Sequence, residues 1–340
     1  MADIALRNPQ FKYKEIPASG VLSSVCTVTI NGTLRYTLTK NVAPSTTVYF
    51  DISELARDYL EIQYKSNFVP QLVIIETEIK NYSLVNGGGV EVGTSTTFDD
   101  RGFEAYGIYE QGSNPTVLES WRNAPTFLLS ADTSGTPPTY EILAPKNQQG
   151  KVSYLSQNGT PTSITYSANS SSIQIPASPP LYLPIKRIDC TKYGKGRKII
   201  FINKYGAQQE LWFFLKSTES INRKNEGYKS NTLFSIAGNN PPTYDIQDAP
   251  KKVFNTQANK TYVLSSGYYP EWANDYFEQL LLSEYVWLEV ERDNFTPIQN
   301  EVIPVKVKNS SINFKTSLND RLIEYTMEFE EAFDYINNIR

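Results

Sequence analysis

Apolar side chains recur at every second position along much of this chain, and a chain patterned in that way forms sheets. In RLIEYTMEF, Ile323, Tyr325, Met327 and Phe329 share one face, while Glu324, Thr326 and Glu328 share the other. In the stretch Gln71–Lys80, Val73, Ile75, Thr77 and Ile79 line up in the same manner. Val25, Thr27 and Thr29 alternate with Cys26, Val28 and Ile30, and Asn31-Gly32 then supplies a tight hairpin turn into Leu34, Tyr36 and Leu38. A further strand is expected over Thr46 to Phe50. Beyond residue 185, RKIIFINKYG reads as a strand ending in a turn, with ELWFFLKS as its partner. YVWLEV, VIPVKVK, SINFKTS and RLIEYTMEF read as four more strands.

Only two segments carry the helical period. FDISELARDYLEIQY places Ile52, Leu55, Tyr59 and Ile62 on one face, and Asp51 with Glu54 matches a capping box. PEWANDYFEQLLLSEY has Pro270 near a helix start and Trp272, Tyr276 and Leu280 at helical spacing. The expected fold class is therefore mainly β, with two or more β-sandwich or barrel-like domains and two short amphipathic helices. At 340 residues the chain calls for two or three domains. The expected division is an N-terminal β domain over 1–120 with its helix near 51–62, and a C-terminal β domain over 185–340 with its helix near 270–284. Between them, 121–184 reads as a Ser/Thr/Pro-rich insertion of strands or loops, with short strands at Ser163–Tyr166 and Ser172–Ile175. Its proline pairs, in SGTPPTYEI and IPASPPLYLP, favour edge strands and extended loops. TPPTYEILAPK (Thr136–Lys146) echoes NPPTYDIQDAPK (Asn240–Lys251), either as two related modules or as a recurring proline-led turn.

Composition narrows the chemistry. The chain has no histidine, which removes the commonest general base and the commonest transition-metal ligand together. Its two cysteines, Cys26 and Cys190, are too few for a Cys-rich zinc site and read as buried, reduced thiols. With 32 basic and 36 acidic residues, there is no basic surplus for gripping phosphates, so no specific nucleic acid is expected as partner. No apolar run reaches the roughly 18 residues of a membrane helix, and Met1 to Gln10 lacks a signal-peptide pattern; no membrane anchor is expected.

YGKGRKII could cradle a phosphate, but Gly194 and Gly196 lead into a strand, where a phosphate loop needs a helix N-terminus. Gly87-Gly88-Gly89 also lacks a strand-to-helix setting. Carboxylates are the remaining route to hydrolysis, and the densest groups are Asp99 with Asp100, and Glu328 with Glu330 and Glu331. Asp99-Asp100 reads as a turn, and Glu328 with Glu330 as the solvated face of a strand. No catalytic, cofactor-binding or metal-binding residue is expected. Trp212, Phe213 and Phe214 in succession place apolar groups on both faces of one strand, which is then buried or at an interface.

FINKYGAQQELWFFLKSTES, FDDRGFEAYGIYEQGSNP and the tail IPVKVKNSSINFKTSLNDRLIEYTMEFEEAFDYINNIR resemble virion structural proteins of tailed phages of Bacteroidota, including crAss-like phages. The resemblance covers roughly 71–112 and most of 185–340. It implies a ring-forming subunit of the neck, tail hub or baseplate, assembled in the host bacterial cytoplasm. Its partners would be copies of itself and adjacent tail, neck or portal-complex proteins. The low-charge segment is expected to make the intersubunit or exterior contact, so that deleting 121–180 leaves folded domains that no longer enter particles. Two alternatives stand beside this reading: a carbohydrate- or receptor-binding module using exposed aromatics, and a glycan hydrolase running on carboxylates.

Overall fold

The computed structural model describes residues 1–107, 142–155, 160–176, 181–188, 196–231, 233–234, 243–244, 247, 249–292, 299–314 and 322–334. The protein is mainly β, as the period-two patterning predicts. In the N-terminal part a five-stranded sheet runs in the order Ala2–Ala5, Thr96–Phe103, Leu72–Tyr82, Ser23–Ile30, Thr33–Asn41. All its pairings are antiparallel except that of the first strand with Thr96–Phe103. Asn31 and Gly32 both take positive φ, 49° and 76°, and make the expected hairpin turn. Val73, Ile75 and Ile79 point inward and meet Phe50, Ile52 and Leu6 beneath the ladder of Phe11–Glu15 with Thr47–Asp51.

The first helix is much shorter than its period predicts. It spans Ser53–Arg57, not 51–62. Asp51 ends a strand, and its carboxylate accepts hydrogen bonds from Ser53 N–H (3.0 Å), Ser53 Oγ (2.8 Å) and Gln10 N–H (3.0 Å). That interaction starts the helical turn without a capping box. Ile52, Ala56 and Leu60 bury on the N-terminal core, Ile62 touches both that core and a second cluster, and Tyr64 and Phe68 belong to the second cluster with Ile200, Ile202 and Trp287. A continuous helix advances only about 1.5 Å per residue. The chain unwinds and extends so that these side chains reach the next sheet.

In the C-terminal part a seven-stranded antiparallel sheet runs in the order Gln208–Phe213, Arg197–Ile202, Val286–Arg292, Gln299–Val307, Thr326–Glu331, Lys251–Ser265, Ser217–Lys229. Ile323, Met327 and Phe329 are fully buried, as their alternation requires. The second helix spans Asn274–Leu282 after a 3-10 turn at Glu271–Ala273, inside the expected 270–284. Its buried stripe is Ala273, Phe277 and Leu280, rotated from the expected Trp272, Tyr276 and Leu280. Trp272 and Tyr276 instead pack edge to face on each other at the core's margin, with ring centroids 5.4 Å apart. SINFKTS does not form the expected strand where it is described, at 311–314. The edge of Gln299–Val307 next to it is already paired with Thr326–Glu331.

The segment read as an insertion is built into the body. Ala144, Val152, Tyr166, Ile173 and Leu183 share one core with Phe103 and Ala105 from the N-terminal part and Tyr205 and Ala207 from the C-terminal part. Arg187 ties this layer together by donating to the carbonyls of Pro145, Gln148, Ser167 and Ser170. A boundary after residue 184 falls within the strand Leu181–Ile188. There the strand changes partners, from Ser172–Ile175 up to Pro184 to Ile142–Pro145 from Ile185 onward, and a proline without an N–H fits such a switch. Deleting 121–180 would therefore strip this shared core and would not leave the domains folded. Of the two echoed segments, Ile142–Pro145 is a parallel strand and Thr243–Tyr244 half of a short hairpin; most of the rest lies outside the described residues.

The N-terminal and C-terminal parts meet through charge. Arg57 reaches Glu104 (2.5 Å) and Glu284 (2.7 Å), and Arg7 reaches Glu284 (3.3 Å). Tyr106 sits at this junction under the Arg7 guanidinium, and burial followed by the Glu278 charge pushes its phenol up to about 12. Burial also raises Tyr166 and Tyr262. A phenol kept neutral by burial holds its proton to higher pH in the folded than in the unfolded chain. Its contribution to stability is whole below about pH 10 and is lost as pH climbs toward the folded value. Denaturant midpoints are therefore expected to fall between pH 10 and 12, and Tyr106→Phe should flatten that fall. An unchanged slope in the variant would remove Tyr106 from the account.

Candidate functional site

The structure separates the carboxylates that the sequence groups together. Asp99 and Asp100 lie in the strand Thr96–Phe103, not in a turn, and strand geometry sends them to opposite faces. Asp99 is exposed, while Asp100 is buried and pairs with the Lys12 ammonium at 2.6 Å. Glu328 and Glu330 share Lys308 on the outer face, at 3.0 and 3.5 Å. Glu331 turns inward and accepts a hydrogen bond from the Tyr262 hydroxyl at 2.7 Å. Gly196 leads into the strand Arg197–Ile202, and Gly194 lies outside the described residues. Gly87 and Gly89 shape a turn at positive φ after Leu72–Tyr82, where Ser23 Oγ accepts the Gly87 N–H. Cys26 is a buried free thiol raised to about 12 by burial, and Cys190 lies outside the described residues. Trp212, Phe213 and Phe214 are all buried: Phe213 packs on Phe277 and Phe329, Phe214 on Tyr269, and the strands Ile142–Pro145 and Gly150–Leu155 lie against the strand that carries Trp212.

Two features with functional potential remain. The first is a ribbon made by Ser217–Lys229 and Lys251–Ser265. Only Thr261–Ser265 of the inner strand pairs onward into the sheet, with Thr326–Glu331. From residue 260 back to 251 the two strands have only each other as ladder partners among the described residues. At about 3.3 Å per residue this arm is roughly 30 Å long. Nearly all of its outer strand is exposed, and so are the large apolar side chains Ile221, Tyr228, Val253 and Phe254. A bulge opposite Glu226-Gly227 leaves Phe254 without a cross-strand partner, and its ring rests against Tyr228 with centroids 6.2 Å apart. Arg223, Lys224, Lys229, Lys251, Lys252 and Lys260 face only Glu219 and Glu226 along the two strands, on a chain of net charge −4.

The second feature is a cleft of about 220 Å³ on the face of the seven-stranded sheet that also carries Ile200, Ile202 and Trp287. Lys198 lies directly across from Glu289 in the ladder, and its ammonium meets that carboxylate at 2.5 Å. Glu210 and Asn300 come from the two flanking strands at diagonal positions. Asn300 donates to Glu289 Oε1 at 2.7 Å, and Glu210 lies 3.6 Å from Lys198. Glu210 also accepts from the Lys151 N–H at 3.2 Å and the Tyr166 hydroxyl at 3.3 Å. Burial raises the Glu210 carboxyl, since its nearest cation is engaged more closely elsewhere. Desolvation opposes the Lys198 charge, yet Glu210 and Glu289 outweigh it and hold the ammonium above its ordinary value. Gly150 makes this packing possible: a Cβ there would fall 2.0 Å from Tyr166 Oη and 2.2 Å from Glu210 Oε2. Gly150→Ala is expected to cost about 2 kcal/mol in a denaturant titration. A loss under 0.5 kcal/mol would mean that Tyr166 and Glu210 move aside freely.

The sequence did not point to this cluster. Lys198, Glu210, Glu289 and Asn300 are isolated polar residues in strand-like runs, and only sheet register makes them neighbours. Among the described residues no three acidic or cysteine side chains converge as a metal-ligand set, and no helix is long and apolar enough to cross a membrane. No family model, curated protein or solved structure matches the chain.

Proposed function

We propose that this protein is a non-enzymatic structural subunit of a tailed-phage virion, closing a homo-oligomeric ring in the tail or neck. The observation that carries the proposal is the projecting ribbon. A two-stranded ribbon is at best marginally stable in water, and this one has a strand edge without a ladder partner among the described residues, together with exposed large apolar side chains. A neighbouring copy laid against it would pair the edge, cover Val253 and Phe254, and set the basic arm on an otherwise acidic body. Such a contact is head to tail, and it closes into a ring when the rotation between copies closes. The likeness of 71–112 and 185–340 to virion proteins supports the phage setting, with assembly in the host cytoplasm and adjacent tail, neck or portal-complex proteins as further partners.

Quantitative peptide mass spectrometry on gradient-purified particles, scaled to the major capsid protein, tests the proposal. The expected result is a small fixed copy number, one ring's worth per particle. Absence from particles would overturn it.

A further inference from the structure

The cleft is independent of the ribbon and of the assembly reading. Its volume of about 220 Å³ lies below the roughly 300–1,000 Å³ of sites for drug-sized ligands, so it holds a single ring. Its walls come from three layers: the extended segment carrying Tyr64 and Ser66, the hairpin carrying Gly150, Lys151 and Thr165, and the sheet strands carrying Lys198, Glu210, Glu289 and Asn300. Two of these walls are strands, and the third, the irregular segment with Tyr64, is anchored by the buried Phe68, so the geometry is largely preformed.

The chemistry of the lining selects the ligand. Two lysines stand against two glutamates, so the formal charges balance and neither an anion nor a cation gains from entering. The lining holds both acceptors and donors: Glu289 and Thr165 can accept, and Asn300 and Lys198, which already meet Glu289, carry further N–H groups that can donate. A hydroxyl group both donates and accepts, so a molecule bearing several of them can satisfy both kinds at once. Tyr64 is half-buried, its ring held edge-on by Phe68 at 6.4 Å and tilted on Trp287 at 6.0 Å. It forms a rigid aromatic wall suited to the C–H face of a saturated ring. We infer that the cleft is a binding site for one neutral pyranose residue of a glycan, with Tyr64 as the stacking platform and Glu289, Asn300 and Lys198 as its hydrogen-bonding groups.

The test is saturation-transfer NMR on the full chain with neutral methyl pyranosides of gluco, galacto, manno and rhamno configuration. Glucuronate and glucosamine serve as charged counterparts. Transfer to at least one neutral pyranoside is expected, at least threefold stronger than to its charged counterparts, with millimolar affinity. Asn300 is exposed and Tyr64 only half-buried, so Asn300→Ala and Tyr64→Ala leave the Lys198–Glu289 pair in place and are expected to remain folded by circular dichroism. Each should reduce transfer at least fivefold. Absence of transfer to every neutral pyranoside overturns the inference. So does transfer that survives both substitutions, which would place binding elsewhere, and so does a preference for a charged sugar.

Discussion

A chain carrying Val253→Asp and Phe254→Asp is expected to run as a monomer in size-exclusion chromatography with light scattering, under conditions where the unaltered chain assembles. Both side chains are exposed in the isolated protomer, so removing them takes nothing from its core. Surface changes of this kind shift folding stability by about 0.5 kcal/mol or less. At the intersubunit contact the arithmetic is different. Each side chain contributes about 1.5–3 kcal/mol when buried against a neighbour, so losing two weakens the contact more than a hundredfold. The added carboxylates also lessen the arm's basic surplus where it faces the acidic body of the next copy. A monomeric unaltered chain at every concentration would remove the ribbon as an assembly device. So would a variant that assembles like the unaltered chain.

Lys12→Met is expected to destabilise the N-terminal part by about 3–5 kcal/mol, because it strands the Asp100 carboxylate without its cation. Both side chains are more than nine-tenths buried, so water cannot replace the lost partner. The midpoint of thermal unfolding should drop by on the order of 10 °C. The double variant Lys12→Met with Asp100→Leu removes the stranded charge as well, and it should recover most of the loss. Recovery would assign Asp100 to the architecture and take it out of any hydrolytic scheme. A loss under 1 kcal/mol in the single variant would mean that solvent reaches the pair.

The faces of individual strands were legible from the amino acids because side-chain direction in a strand is a local property with a period of two. Val73, Ile75 and Ile79, or Met327 and Phe329, bury where their alternation places them. The Asn31-Gly32 turn was legible for a similar reason, since the preference for positive φ belongs to the two residues themselves. The helix at Ser53–Arg57 is shorter than its apolar period implies, because that period continues past the point where the chain must extend to serve a second core. The segment 121–184 reads as an insertion because its short, polar, proline-punctuated strands carry no mark of what they lie against.

By itself, the sequence determined the mainly β class, which residues point inward along most strands, the first hairpin, and the absence of imidazole from any site. The tertiary structure decided which strands are neighbours, and with that the cleft, the buried Lys12–Asp100 pair and the reach of the ribbon. The physical reason is the same in each case. Alternation along a strand fixes the face a side chain occupies, but only strand order and register fix what stands beside it, and those come from packing between segments up to about a hundred residues apart.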